Sequence, residues 1–257
     1  METQVKQKRT AKYVPVLVWL AVIMTPLHSQ VKQSHDVVAG FMQLKDGLNL
    51  GMVFNGAQME YRYGVQWRLN THEIQYQPRL GFGLGTSRFR TMECYHLHIA
   101  PVNITWTIPV YEQNGRSIRV GANFITDYNY QYWEDLHDAP LFWSSEIGLS
   151  PVVHFNCQWN NRRISAVLQN SLMGFTSHIQ GYDTYFWQKT AGDFFVKPHT
   201  GLKFGSFNNY NHTRVSLGFV PNTLGRHSFL YEFDYAGFFY GNPFYQINHN
   251  LIWRISR

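Results

Sequence analysis

From about residue 47 to the end of the chain, apolar and polar side chains alternate with a period of two. The alternation is clearest in His212-Thr213-Arg214-Val215-Ser216-Leu217-Gly218-Phe219. A strand turns successive side chains to opposite faces, so Thr213, Val215, Leu217 and Phe219 share one face while His212, Arg214, Ser216 and Gly218 share the other. A chain built this way throughout is all-β, and its sheet has one face suited to an apolar medium and one suited to water.

Turn residues divide the alternation into strands. Segments 48–55 and 59–68 flank Asn55-Gly56, a strong hairpin signal, and in the second Tyr61, Tyr63, Val65 and Trp67 oppose Glu60, Arg62, Gln66 and Arg68. Segment 73–88 sets Leu80, Phe82 and Leu84 against Gly81, Gly83 and Gly85. Segments 95–109, 117–130, 141–159, 163–176, 197–207, 212–220, 228–240 and 245–256 follow, with turns at Asn114-Gly115, Asn160-Asn161, Asn208-Asn209 and Gly241-Asn242-Pro243. That makes eleven strands, whereas a barrel with both termini on one side needs an even number. A further strand over 184–196 raises the number to twelve, the preferred value, with ten next. Residues 30–46 show no sustained pattern and read as an irregular lead-in. The two cysteines, Cys94 and Cys157, fall at opposite rims in this order and are not expected to meet.

Composition decides which medium the apolar face meets. Only 15% of residues are charged, against about 25% in ordinary globular chains, and 17% are aromatic. Mean hydropathy is nevertheless −0.30, and past the leader no stretch reaches the roughly 18 apolar residues of a spanning helix. A membrane strand needs apolar residues only at alternate positions. The tight turns at 114–115 and 160–161 alternate with longer connections at 133–140 and 178–193, the asymmetry of a membrane barrel. The reading is a closed antiparallel transmembrane β-barrel over 47–257.

The first 29 residues are of another kind. Lys6, Lys8, Arg9 and Lys12 precede an apolar stretch, 13–24, and a short polar exit ending at Ser29, the layout of a secretory signal peptide cut after Ser29. These basic residues, offset by Glu2, account for three of the six net positive charges. The remainder is thinly spread and forms no basic stripe, so nucleic acid is not an expected partner.

The last strand, Tyr245-Gln246-Ile247-Asn248-His249-Asn250-Leu251-Ile252-Trp253-Arg254-Ile255-Ser256-Arg257, alternates to the chain end. It resembles the C-terminal insertion strand of Gram-negative outer-membrane β-barrel proteins. Those strands commonly finish on an aromatic residue, whereas here Ile255 is the last apolar member and Arg257 the end. The resemblance implies residence in the cell outer membrane, contact with its lipids, insertion by the barrel-assembly machinery, and no particular activity.

Within such a barrel, Thr213, Val215, Leu217, Phe219, Leu251, Trp253 and Ile255 should face lipid. Arg214, Glu232, Asp234 and Arg254 then point into the lumen, where opposite charges on adjacent strands can offset one another's desolvation. Outer-membrane phospholipases and lipid A deacylases use Ser and His. Here His212 and Ser216 share a face but lie about 13 Å apart along a strand, and His227 and Ser228 face opposite ways. His96 and His98 share a face, too few ligands for a zinc site, and neither a metal nor a cofactor is expected. The favoured reading is therefore a barrel without catalytic residues, either a structural or accessory subunit of an envelope complex or a narrow, porin-like transport barrel. A lipid-modifying hydrolase and a soluble exported barrel binding a ligand in its interior are the alternatives.

Overall fold

A computed structural model describes residues 30–47, 51–87, 93–133, 141–159, 162–178, 196–206, 209–220, 226–241 and 243–257. The leader over 1–29 and nearly all of the proposed strand at 184–196 lie outside them. The strands are β1 (Gln30–Asp46), β2 (Val53–Leu69), β3 (His72–Tyr76), β4 (Arg79–Ser87), β5 (Glu93–Gln113), β6 (Arg116–Trp133), β7 (Leu141–Trp159), β8 (Arg162–Asn170), β9 (Met173–His178), β10 (Lys203–Ser206), β11 (Tyr210–Val220), β12 (His227–Phe238) and β13 (Phe244–Ser256).

Three pairs of these segments are halves of single barrel strands. β3 and β4 both lie between β2 and β5. They part at Gln77-Pro78, where proline has no N–H for the ladder, while Tyr63 N still donates to Pro78 O and Gln77 N to Asn103 O. β8 and β9 share β7 as neighbour, and β11 and β10 run against them on the other side. The result is a closed antiparallel barrel of ten strands. β1 and β13 close it in register from Ser34↔Ser256 to Asp46↔Phe244. The start of β1 and the end of β13 therefore share one rim, together with the turns at Asn70 (φ 54°) and Asn114-Gly115 (φ 51° and 72°). The longer connections, 134–140 and 179–202, join strands at the opposite rim.

Ten is the smaller of the two numbers read from the sequence, and three local facts turn the eleven segments into ten strands. Residues 30–46, read as an irregular lead-in, form β1, whose two faces both mix apolar and polar residues and so hide the alternation. Asn55-Gly56 is not a hairpin but sits inside β2. A Cβ on Gly56 would come 1.8 Å from the Leu84 carbonyl oxygen, so this glycine serves close backbone approach rather than a turn. Segments 197–207 and 212–220, counted as two, hold β10 and β11, which continue one another as one barrel strand. Cys94, which falls between two of the segments read from the sequence, lies within β5, and the two cysteines sit at opposite ends of the barrel.

The burial pattern is that of a protein turned inside out. β4 alternates strictly, with Leu80, Phe82 and Leu84 exposed outside and Gly81, Gly83 and Gly85 buried inside. Asp36, Glu60, Arg62, Asp127, Glu146, Arg214 and Glu232 are among the polar residues buried in the lumen. At the rim away from the termini, Leu44, Phe54, Cys94, Trp133, Phe142, Tyr210, Phe238 and Phe244 pack into an apolar cluster inside the barrel. Trp133 stands edge-on to Phe54, with ring centroids 4.1 Å apart, and to Phe142 at 6.1 Å.

Candidate functional site: the charged lumen

Beneath the apolar cluster the lumen is filled by ion pairs. Arg62 on β2 gives a bidentate pair to Glu232 on β12, Nη1 to Oε2 at 3.0 Å and Nη2 to Oε1 at 2.6 Å, and its Nε donates to Glu60. Since β1 and β13 separate β2 from β12 in the wall, this pair crosses the interior. Glu232 also accepts from Ser216 Oγ at 3.2 Å and Asn250 Nδ2 at 3.4 Å. Arg214 donates twice to Asp234 Oδ2, from Nε at 3.1 Å and Nη2 at 2.8 Å. Such bidentate, charge-assisted bonds are the strong ones, and buried pairs need them to offset desolvation.

Two histidines are each held between two acids. His98 places Nδ1 2.8 Å from Glu60 and Nε2 3.0 Å from Asp127. His212 places Nδ1 2.8 Å from Glu146 and Nε2 2.8 Å from Asp234. A neutral imidazole has one donor and one acceptor, whereas ionised carboxylates only accept. Each unit must therefore hold two protons, on both ring nitrogens or on one ring nitrogen and one carboxyl.

Nearer the terminal rim the network becomes more polar than ionic. Arg254 is bidentate on Asp36, with both bonds at 2.8 Å, and Gln77 donates to the same acid at 2.9 Å. Asn123 bonds Asn103 and Thr105 and accepts from Gln169. Arg119 is held by Thr107 and by the Thr71 carbonyl.

The four residues assigned to the lumen from sequence thus all face it. Arg214 and Asp234 bond directly, Glu232 is taken chiefly by Arg62, and Arg254 belongs to the separate Asp36 pair. Among the residues assigned to the other face, Leu217, Phe219, Leu251 and Trp253 are exposed outside, and Thr213, Val215 and Ile255 are partly covered there. Sequence reasoning missed Asp36, Arg79, Asp127 and Glu146. It placed Glu60 and Arg62 on the polar face of their strand, the one signal by which they could have been included.

Both ring nitrogens of His98 and His212 are occupied by carboxylates, and Ser216 Oγ is committed to Glu232. His227, beside Ser228, faces outward and stacks on Trp253. At the opposite rim Ser144 and His178 are cross-strand partners, both buried, and Ser144 Oγ has no hydrogen-bond partner among the described residues.

No protein-family model matches this sequence, and no curated protein does. Among solved structures, the outer membrane protease OmpT from Escherichia coli superposes with a TM-score of 0.53 at 7% identity, covering 90% of this chain and 98% of that one. The translocator domain of the autotransporter NalP from Neisseria meningitidis (TM-score 0.40, 8% identity, 93% and 94% covered) and an outer membrane channel from Pseudomonas putida F1 (0.40, 10%, 88% and 95%) are more distant. At such identities the likeness concerns fold alone. By its ten closed antiparallel strands, apolar outside and polar within, the chain is an outer-membrane-type β-barrel.

Proposed function

We propose that this chain is an outer-membrane protein of a Gram-negative envelope, exported with a leader over 1–29, inserted by the barrel-assembly machinery, and acting as a structural or accessory component without catalysis. The observation that carries this reading is the filled lumen, in which the apolar cluster around Trp133 lies in series with the ion pairs centred on Glu232. A side-chain lattice of this kind supports a rigid, closed wall better than it supports flow. Purified protein in planar bilayers should show no stepwise conductance, and a steady single-channel conductance would reject this reading in favour of a narrow transport barrel.

Outer-membrane residence rests on the outward face. Leu251 is 68% exposed and lies well inside β13, opposite Ala39 and Tyr231. An arginine at a lipid-facing site near the bilayer midplane costs about 2–4 kcal/mol. Leu251→Arg should lower the stability of the barrel in liposomes by that amount, measured by urea unfolding. A change below about 0.5 kcal/mol, the usual size for a solvated surface position, would favour the soluble barrel.

The juxtaposition of Ser144 with His178 supports a second reading, a lipid-modifying hydrolase of the phospholipase or lipid A deacylase type. On that reading Ser144→Ala restores the acylation pattern of lipid A or phospholipid seen in a deletion strain. Identical lipid profiles in wild-type, deletion and Ser144→Ala cells would dispose of it.

A further inference from the structure

Arg79 is the least explained charge in the lumen. It opens β4 on the inner face, directly opposite Arg62 in the neighbouring strand, a pairing of like charges that ordinarily destabilises a sheet. Arg62 is saturated by Glu60 and Glu232. Arg79 is only 6% exposed, and its Nε and Nη1 have no hydrogen-bond partner among the described residues. Arg214 also keeps a buried nitrogen, Nη1, without a hydrogen-bond partner among the described residues. In the ring of ten strands, β4 and β11 occupy diametrically opposed places. Between them, Arg62, the register partner of Arg79, holds Glu232, and Arg214 Nε lies 3.8 Å from the same carboxylate, so one acid links the two walls.

Two guanidiniums thus approach from opposite walls with like charge and N–H groups to spare. The neighbouring acids do not take these donors: Glu60 is engaged by Arg62 and His98, Glu232 by Arg62, Ser216 and Asn250, and Asp234 by Arg214 and His212. A buried guanidinium cannot lose its proton and must be paired or solvated. A species with acceptors on several sides matches these donors better than a single-point acceptor, because they come from two residues on facing walls. A cleft of about 560 Å³ at the terminal rim is lined by Arg116, Arg162 and Arg163 against Glu112, a balance that draws anions.

The geometry points to a buried binding site for a small inorganic oxyanion of the phosphate or sulfate class, held in mid-lumen between Arg79 and Arg214. The probe is inorganic phosphate, titrated into the refolded full-length chain in detergent micelles with a bulky organic anion as background. Thermal unfolding should show a saturable rise in Tm. Arg79→Gln should remove that rise or weaken half-saturation by about tenfold or more, the scale of one lost charge-assisted contact, while Lys45→Gln on the outer surface should keep it. Should Arg79→Gln fail to fold, phosphorus NMR of phosphate with the wild-type barrel decides, since a bound ion broadens the resonance in proportion to barrel concentration. No saturable rise and no broadening, or an equal response in Arg79→Gln, would mean that only water meets these donors and would overturn the assignment.

Discussion

Glu232→Gln is expected to destabilise the barrel by about 3–5 kcal/mol, the cost of removing one partner from a buried ion pair. The substitution keeps the shape and removes the charge. Arg62 loses a bidentate acceptor, and Arg214 loses a carboxylate 3.8 Å from its Nε. The surrounding guanidiniums cannot shed their protons in response. Urea unfolding in liposomes measures the effect, and heat-modifiable gel migration gives an independent reading of the folded fraction. Asp36→Asn provides the comparison, because the Arg254 side chain facing Asp36 keeps 27% exposure, so water can replace part of what is lost. Its cost should be clearly smaller. Equal costs at the two sites would show that water reaches Glu232 as readily as it reaches the rim.

Trp133→Ala should cost a similar amount, about 3–5 kcal/mol, by leaving a cavity in the apolar cluster. Trp133 is fully buried between Phe54 and Phe142 and beside its register partner Cys94. The two substitutions act on successive barriers across one lumen. Trp133→Ala opens the outer one and leaves the ion pairs in place, so it should weaken the barrel without producing conductance. A steady current through the Trp133→Ala protein would show that the ion pairs yield to passing ions and that the aromatic cluster alone closes the barrel.

The sequence disclosed the features that depend on neighbours along the chain. Alternation over 212–219 was legible because its two faces differ sharply, and Arg214 lies near Asp234 because β11 and β12 are consecutive and antiparallel. The Arg62–Glu232 pair was not legible, since it joins positions 170 residues apart across the interior and no local pattern specifies which strands face each other. β1 escaped notice because Asp36, Gly40 and Met42 alternate with Val37, Ala39 and Phe41, leaving neither face uniformly polar. The Asn-Gly dipeptide shows the limit of local signals. At 114–115 it makes the hairpin, and at 55–56 it lies in a straight strand where another backbone passes too close for any side chain.

The seam between β1 and β13 dictates an order of assembly. Asp36 and Arg254 are register partners separated by 218 positions, and the two hydrogen bonds that Arg254 donates to Asp36 clasp the seam from the lumen side. At the rim, Gln33 and Arg257 exchange backbone hydrogen bonds of 3.1 and 2.8 Å. β1 therefore has no partner on that edge until β13 arrives. Hairpins such as β5–β6 can zip locally, but ring closure waits for the longest excursion in the chain, the kind of contact that forms slowly. Until that moment the growing sheet carries two bare edges of N–H and C=O groups, each able to recruit a strand from another molecule. Whatever escorts this chain to the bilayer must shelter the β1 edge the longest.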